Sequence, residues 1–285
     1  MADEPLFLRV PPELRMLIYE YLLDTDGHSE LTIRNLPRQR VAKNNLKTKH
    51  RSSYYVLERT FTCSSYETTY SLETPCEMYP AIMAVNRRVR EEASHYLYGR
   101  HSFHFGHDLG AAVPFLEDMT ASTRDLIREI TLHKRGPNSM TTGTDSCDWA
   151  AICRCLKGLP NLRKLRLIVE GGRPRRDWQG PRELSVSDLR LLYSTRHESL
   201  EWARELSQVD KVARVEIAAQ MQPMAEPNTS AMLVYAALSA SIETSLVEFL
   251  RTELGIPAIF AAGDDGGAEP TAVDEISLGL HETVL

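Results

Sequence analysis

Three histidines, His101, His104 and His107, recur at every third position. On a helix that spacing would gather three imidazoles on one face, the arrangement that holds zinc. The surrounding run His101–Phe105 alternates like a strand, however, and a strand sends His101 and His104 to opposite sides. No cysteine or carboxylate cluster stands nearby, so no metal site is expected. The five cysteines are Cys63, Cys76, Cys147, Cys153 and Cys155. Cys153 and Cys155 fall two apart on a predicted helix, where their side chains diverge by about 200°. That is poor chelating geometry, and small buried hydrophobes are the expectation. An odd, small number of cysteines also points to reduced thiols. Seven basic residues, Arg34, Arg38, Arg40, Lys43, Lys47, Lys49 and Arg51, lie close together. Such a run can contact phosphate or serve as a nuclear import signal. No aromatic residue interleaves with it before Tyr54 and Tyr55, so a solvated loop is expected ahead of nucleic-acid contact, with nuclear import as the alternative. The chain has no G-x-S-x-G elbow, phosphate loop or dinucleotide glycine pattern. Gly171-Gly172 precedes Arg173-Pro174-Arg175-Arg176 and reads as an exposed turn. No catalytic residue and no cofactor is expected, and an enzyme is the least favoured reading.

The elements that would position any site follow from hydrophobic periodicity. Pro12–Leu23 forms a short amphipathic helix: Pro12 suits the first helical position, and Leu14, Ile18 and Leu22 recur at four-residue spacing, joined by Leu17 and Tyr21. Residues 24–79 hold β-prone runs at Glu30–Arg34, Tyr54–Cys63 and Thr68–Leu72 around a polar loop, Leu36–Ser53. The expectation there is an inserted small antiparallel element. Pro80–Tyr98 forms a second helix, with Ile82, Val85, Val89, Ala93 and Tyr96 on its apolar face. Arg87/Glu91 and Arg88/Glu92 make i,i+4 pairs, and Gly99 is expected as a left-handed cap. Three runs then share one pattern: Ile127-x-x-Ile130-x-Leu132, Leu162-x-x-Leu165-x-Leu167 and Val212-x-x-Val215-x-Ile217. A helical segment precedes each, which favours parallel pairing through right-handed crossovers. Leu159–Leu167 is similar to a leucine-rich repeat, at periods too uneven for a regular horseshoe. Ser230–Leu254 reads as one long helix stopped by Gly255 and Pro257. The Gly-rich, acidic stretch from Gly263 onward is expected to be a disordered tail.

The chain has 285 residues, 42% hydrophobic and 25% charged, with a net charge of −6. That balance is ordinary for a globular protein, and its sign opposes a general nucleic-acid-coating role. No run reaches the roughly 20 apolar residues of a membrane span. The N-terminus lacks the basic start and apolar stretch of a secretory signal. A cytoplasmic or nuclear protein is expected.

The segment Phe7-Leu8-Arg9-Val10-Pro11-Pro12-Glu13-Leu14-Arg15-Met16-Leu17-Ile18-Tyr19-Glu20-Tyr21-Leu22-Leu23 resembles the opening of an F-box, and more closely the fungal F-box-like proteins that begin L-P-x-E-L-R-x-x-I-Y-x-x-L-L. Downstream, Val85-Asn86-Arg87-Arg88-Val89-Arg90-Glu91-Glu92-Ala93 and Tyr96-Leu97-Tyr98-Gly99 resemble that family's second signature. The resemblance implies a non-enzymatic interaction scaffold, a substrate adaptor of a cullin-type ubiquitin ligase. Pro11, Leu14, Ile18 and Leu22 would then contact a Skp1-type partner, while the remainder presents a surface to an unknown substrate. The alternative is a stand-alone interaction domain in which Leu14, Ile18 and Leu22 are simply core. The combined expectation is an α+β protein in three parts. Residues 1–108 form an F-box-like region with the β insertion. Residues 109–260 form an irregular, leucine-rich-repeat-like strand and helix stack on a parallel or mixed sheet. Residues 261–285 form the tail.

Overall fold

The computed structural model describes residues 5–24, 30–37, 61–63, 66–73, 78–106, 109–134, 144–175, 178–180 and 183–261. The expected tail beyond Ala261, His107, Cys76 and the basic loop from Arg38 to Arg51 lie outside the described residues.

In chain order the elements are α1 (Pro12–Leu23), β1 (Glu30–Pro37), β2 (Phe61–Cys63), β3 (Tyr66–Glu73), α2 (Arg87–Arg100), β4 (Ser102–Phe105), α3 (Ala112–Asp118), α4 (Ala121–Arg124), β5 (Glu129–Lys134), α5 (Thr144–Lys157), β6 (Lys164–Arg173), α6 (Val186–Ser194), α7 (Glu201–Leu206), β7 (Arg214–Pro223), α8 (Ser230–Ala240), α9 (Ser245–Glu253) and β8 (Ala258–Phe260). All eight described strands belong to one sheet, in the order β2-β3-β1-β4-β5-β6-β7-β8.

This overturns the α+β expectation. Six strands, β1, β4, β5, β6, β7 and β8, run parallel and side by side. Strand alternates with helix along most of that series, which is an α/β architecture. β1 does not belong to a separate antiparallel element. It pairs in parallel with β4 at Glu30/Ser102, Leu31/Phe103 and Thr32/His104, while β3, antiparallel to β1, extends the sheet on the other side. The physical reason lies in the alternation Leu31-Thr32-Ile33. Leu31 and Ile33 are buried in the same core as Phe103, Phe105 and α5, so burying one face of β1 draws it into the main sheet. The strands also pass without interruption across the expected boundary near residue 108, since β4 pairs with β5.

The order of the parallel strands never reverses. Right-handed crossovers between strands advancing in one direction return on the same side of the sheet. One face therefore carries the apolar row Leu31, Phe103, Ile130, Leu165, Val215 and Ala258, packed with Trp149, Ile152, Trp202, Leu206, Phe249 and Leu250 from the helices. The opposite row, Thr32, His104, Thr131, Arg166 and Glu216, is polar. A doubly wound sheet gains its ligand crevice where strand order reverses, and the parallel series here has no such reversal.

Three local expectations are corrected. The helix foreseen over Pro80–Tyr98 is two pieces: a 3-10 turn at Pro80–Ala84, then α2, which starts afresh at Asn86, whose Oδ1 accepts from Val89 N at 2.8 Å. Gly99 lies inside α2 and is not a left-handed cap; among described glycines positive φ belongs to Gly255. The single helix over Ser230–Leu254 is broken into α8 and α9, inclined by 83°. Ser239 and Ser241 bond back to Tyr235 O and Ala237 O, both at 2.7 Å, and the Ser241 hydroxyl also accepts from Leu184 N. Such side chains compete with the helical ladder and favour a break. No single described helix is long and apolar enough to cross a membrane.

Candidate functional site

α1 begins at Pro11-Pro12, with no side-chain cap. Successive residues on a helix are offset by about 100°, so Arg15, Tyr19 and Leu23 share one stripe, with Leu22 at its margin. That stripe faces the body of the protein. Leu14, Leu17, Ile18 and Tyr21 occupy the other side.

The inward stripe is fastened by charge. Only 2% of the Arg15 side chain is exposed. Its Nε donates to Glu92 Oε2 at 2.8 Å and its Nη2 to Glu92 Oε1 at 2.6 Å, a bidentate pair. Its Nη1 donates to Val10 O at 2.6 Å and Leu8 O at 3.3 Å, tying down the turn before α1. The Tyr19 hydroxyl donates to Glu92 Oε2 at 2.9 Å. Arg15 first, helped by Tyr19, holds the Glu92 carboxyl down to about 2; burial, reinforced by Glu92, pushes the Tyr19 phenol up to about 12. Arg88 adds the foreseen i,i+4 contact to Glu92 at 3.3 Å. Tyr79 N also bonds Leu22 O at 2.8 Å. The two sequence signatures are thus joined through one carboxylate.

The outward side is apolar and uncovered. Leu14 is 51% exposed, Leu17 59% and Tyr21 84%, and Leu6 in the preceding turn is 78% exposed. Of the residues expected to contact a partner, Pro11 and Leu14 are exposed, Ile18 is half-buried, and Leu22 is half-buried against the core. The reading of these residues as core therefore fails for Leu14, while Leu22 packs against the core and Ile18 is half-buried. Sequence reasoning missed Arg15, Tyr19 and Glu92 because apolar residues occupy both sides of α1. The available signal was an arginine in the first signature and a carboxylate in the second that local pairing left with spare oxygens.

The remaining chemical candidates are spread over the sheet and its flanking helices. His101 Nδ1 lies 2.9 Å from Leu97 O, at the end of α2. His104 points to the polar face of the sheet, where its Nδ1 is 2.9 Å from Glu30 and its ring stacks on His133 at 4.9 Å. His104 first, with the Thr131 hydroxyl at 3.3 Å, holds the Glu30 carboxyl below its usual range. Beyond them Glu216 binds Lys164 at 3.2 Å and Arg214 at 2.8 Å. Among the described residues no group of three potential ligands for a metal ion exists. Burial pushes the Cys153 thiol up to about 12 and raises that of Cys155. The side chains of Cys63 and Cys147 lie outside the described residues. Ser199 and His197 are 2.8 Å apart, but His197 is capping the turn that leads into α7. Gly171 and Gly172 are not an exposed turn. They are buried in β6, where a Cβ on Gly172 would come 2.6 Å from Met224 Sδ and from Tyr235 Cε1. Gly172 N donates to Ser239 Oγ at 2.9 Å, which brings α8 against the end of that strand.

A singly wound parallel α/β body carrying an N-terminal helix with a bare apolar side is the class of protein these features define. The chain matches, over residues 2–190, the family described as a domain of unknown function, DUF7730, and belongs to it. No curated protein and no solved structure matches it.

Proposed function

We propose that this protein is a non-enzymatic interaction scaffold that docks a partner through the outward side of α1, in the manner of an F-box-like adaptor. One observation carries the reading: Leu14, Leu17 and Tyr21 are large, apolar and exposed on a helix whose other side is clamped by Arg15 and Glu92. An exposed apolar cluster on a rigid element is what an interface core needs. The clamp lowers the ordering cost of binding, because the helix is already held in place. The residue contacts to be tested are Pro11, Leu14 and Ile18, with Leu17 and Tyr21 added; Leu22 contributes its exposed part. Docking to a Skp1-type subunit fits the resemblance of the helix, and the sheet body would then carry a substrate.

Recovery of a fungal Skp1-type protein by the immobilised full chain tests this. Leu17→Asp should abolish recovery while leaving the thermal midpoint within a few degrees, since an exposed substitution costs about 0.5 kcal/mol or less. Equal recovery by wild type and Leu17→Asp, or by neither, overturns the adaptor reading.

A further inference from the structure

β7 is ten residues long but β8 only three. In a parallel ladder, alternate residues bond to opposite neighbours. The even-numbered residues of β7 face β6: Arg214 N donates to Arg163 O and, just past the strand, Met224 N to Arg173 O, both at 3.0 Å. The odd-numbered ones face β8: Val215 N donates to Pro257 O at 3.0 Å, and Ile217 O accepts from Ala261 N at 2.9 Å. Ala219 and Met221 continue the outward series past the end of β8. Among the described residues neither has a hydrogen-bond partner on that side. Pro223, next in the series, has no N–H and closes the edge.

We propose that this stretch captures an extended peptide from a partner protein, which adds a strand in line with β8. Only an extended backbone supplies donors and acceptors at the spacing that Ala219 and Met221 present. Side chains refine the choice. Phe260, paired with Ile217, is 40% exposed on the helix side of the edge, and the half-buried Ala219 and Met221 lie against the core on that side. The favoured peptide alternates apolar residues, toward Phe260 and Met221, with polar ones. The sequence after Ala261 is Ala262-Gly263-Asp264-Asp265-Gly266, and glycine and aspartate are the residue types strands disfavour. By composition the lane suits a strand from another chain better than these residues. The inference deepens the scaffold reading by naming the class of cargo, and it rests on that reading for the word cargo alone.

A phage-displayed library of linear dodecapeptides panned against the full chain is the probe, with amide hydrogen exchange as the second measurement. Enriched peptides should alternate apolar and polar residues, slow exchange at Ala219 and Met221 at least tenfold, and lose at least tenfold in affinity against Ala219→Pro. They should bind Leu17→Asp as well as wild type, which separates this edge from the α1 surface. No enrichment, or enriched peptides that leave exchange at Ala219 and Met221 unchanged, overturns the proposal. So does faster exchange at those two amides in a chain ending at Ala261, because the protein's own C-terminal residues would then be the occupant.

Discussion

Arg15 is charged, yet it is among the most enclosed side chains of the molecule. A guanidinium there persists because its donors meet a carboxylate and two carbonyls in fixed geometry. Glu92→Gln keeps the shape but removes the countercharge, and should lower the unfolding free energy at neutral pH by about 1–3 kcal/mol, read from urea denaturation. The pH dependence has a definite sign. Glu92 is depressed in the folded state, from an ordinary 4.5 to about 2. Its contribution is therefore complete above the unfolded value and is lost as pH falls from about 4.5 to about 2. The difference between wild type and Glu92→Gln should shrink across that window and be flat above it. A difference that grows toward acid would refute the clamp.

At the scale of the element, apolar periodicity located α1 but left its direction open. Leu14, Ile18 and Leu22 make as regular a stripe as Arg15, Tyr19 and Leu23, and only the second is turned inward in full. The stripe choice was made by Glu92, from a helix remote in sequence. The same principle governs Gly171 and Gly172. Two glycines before a basic run look like a turn, but α8 crosses so close to β6 that a side chain has no room. Gly172→Val should therefore destabilise by about 1–3 kcal/mol through overpacking, measured by the same denaturation. A change under about half a kcal/mol would mean that Met224 and Tyr235 do not press on that strand.

For the whole molecule, one sheet joins residues on both sides of the boundary near 108, and one apolar core runs beneath it. Unfolding in urea should accordingly be a single transition, coincident by fluorescence and circular dichroism. Two separated transitions would show that the strands up to Phe105 and those from Glu129 onward stand independently. Leu165, at the centre of the sheet and fully buried, should cost about 2–5 kcal/mol when replaced by alanine. A loss below about half a kcal/mol would remove β6 from the core.

The sequence by itself determined the recurring strands. Ile130, Leu165 and Val215, and likewise Leu132, Leu167 and Ile217, stand opposite one another in the sheet, because alternation within a strand is a local property. It also determined that α1 and α2 exist and carry distinctive residues. Tertiary structure alone decided that β1 joins the parallel series, that the 230–254 run bends, that Arg15 meets Glu92 and that Ala219 and Met221 have no described strand beside them on the β8 side. Each of these depends on which surfaces meet across long stretches of chain, and periodicity records which residues avoid water without recording what covers them.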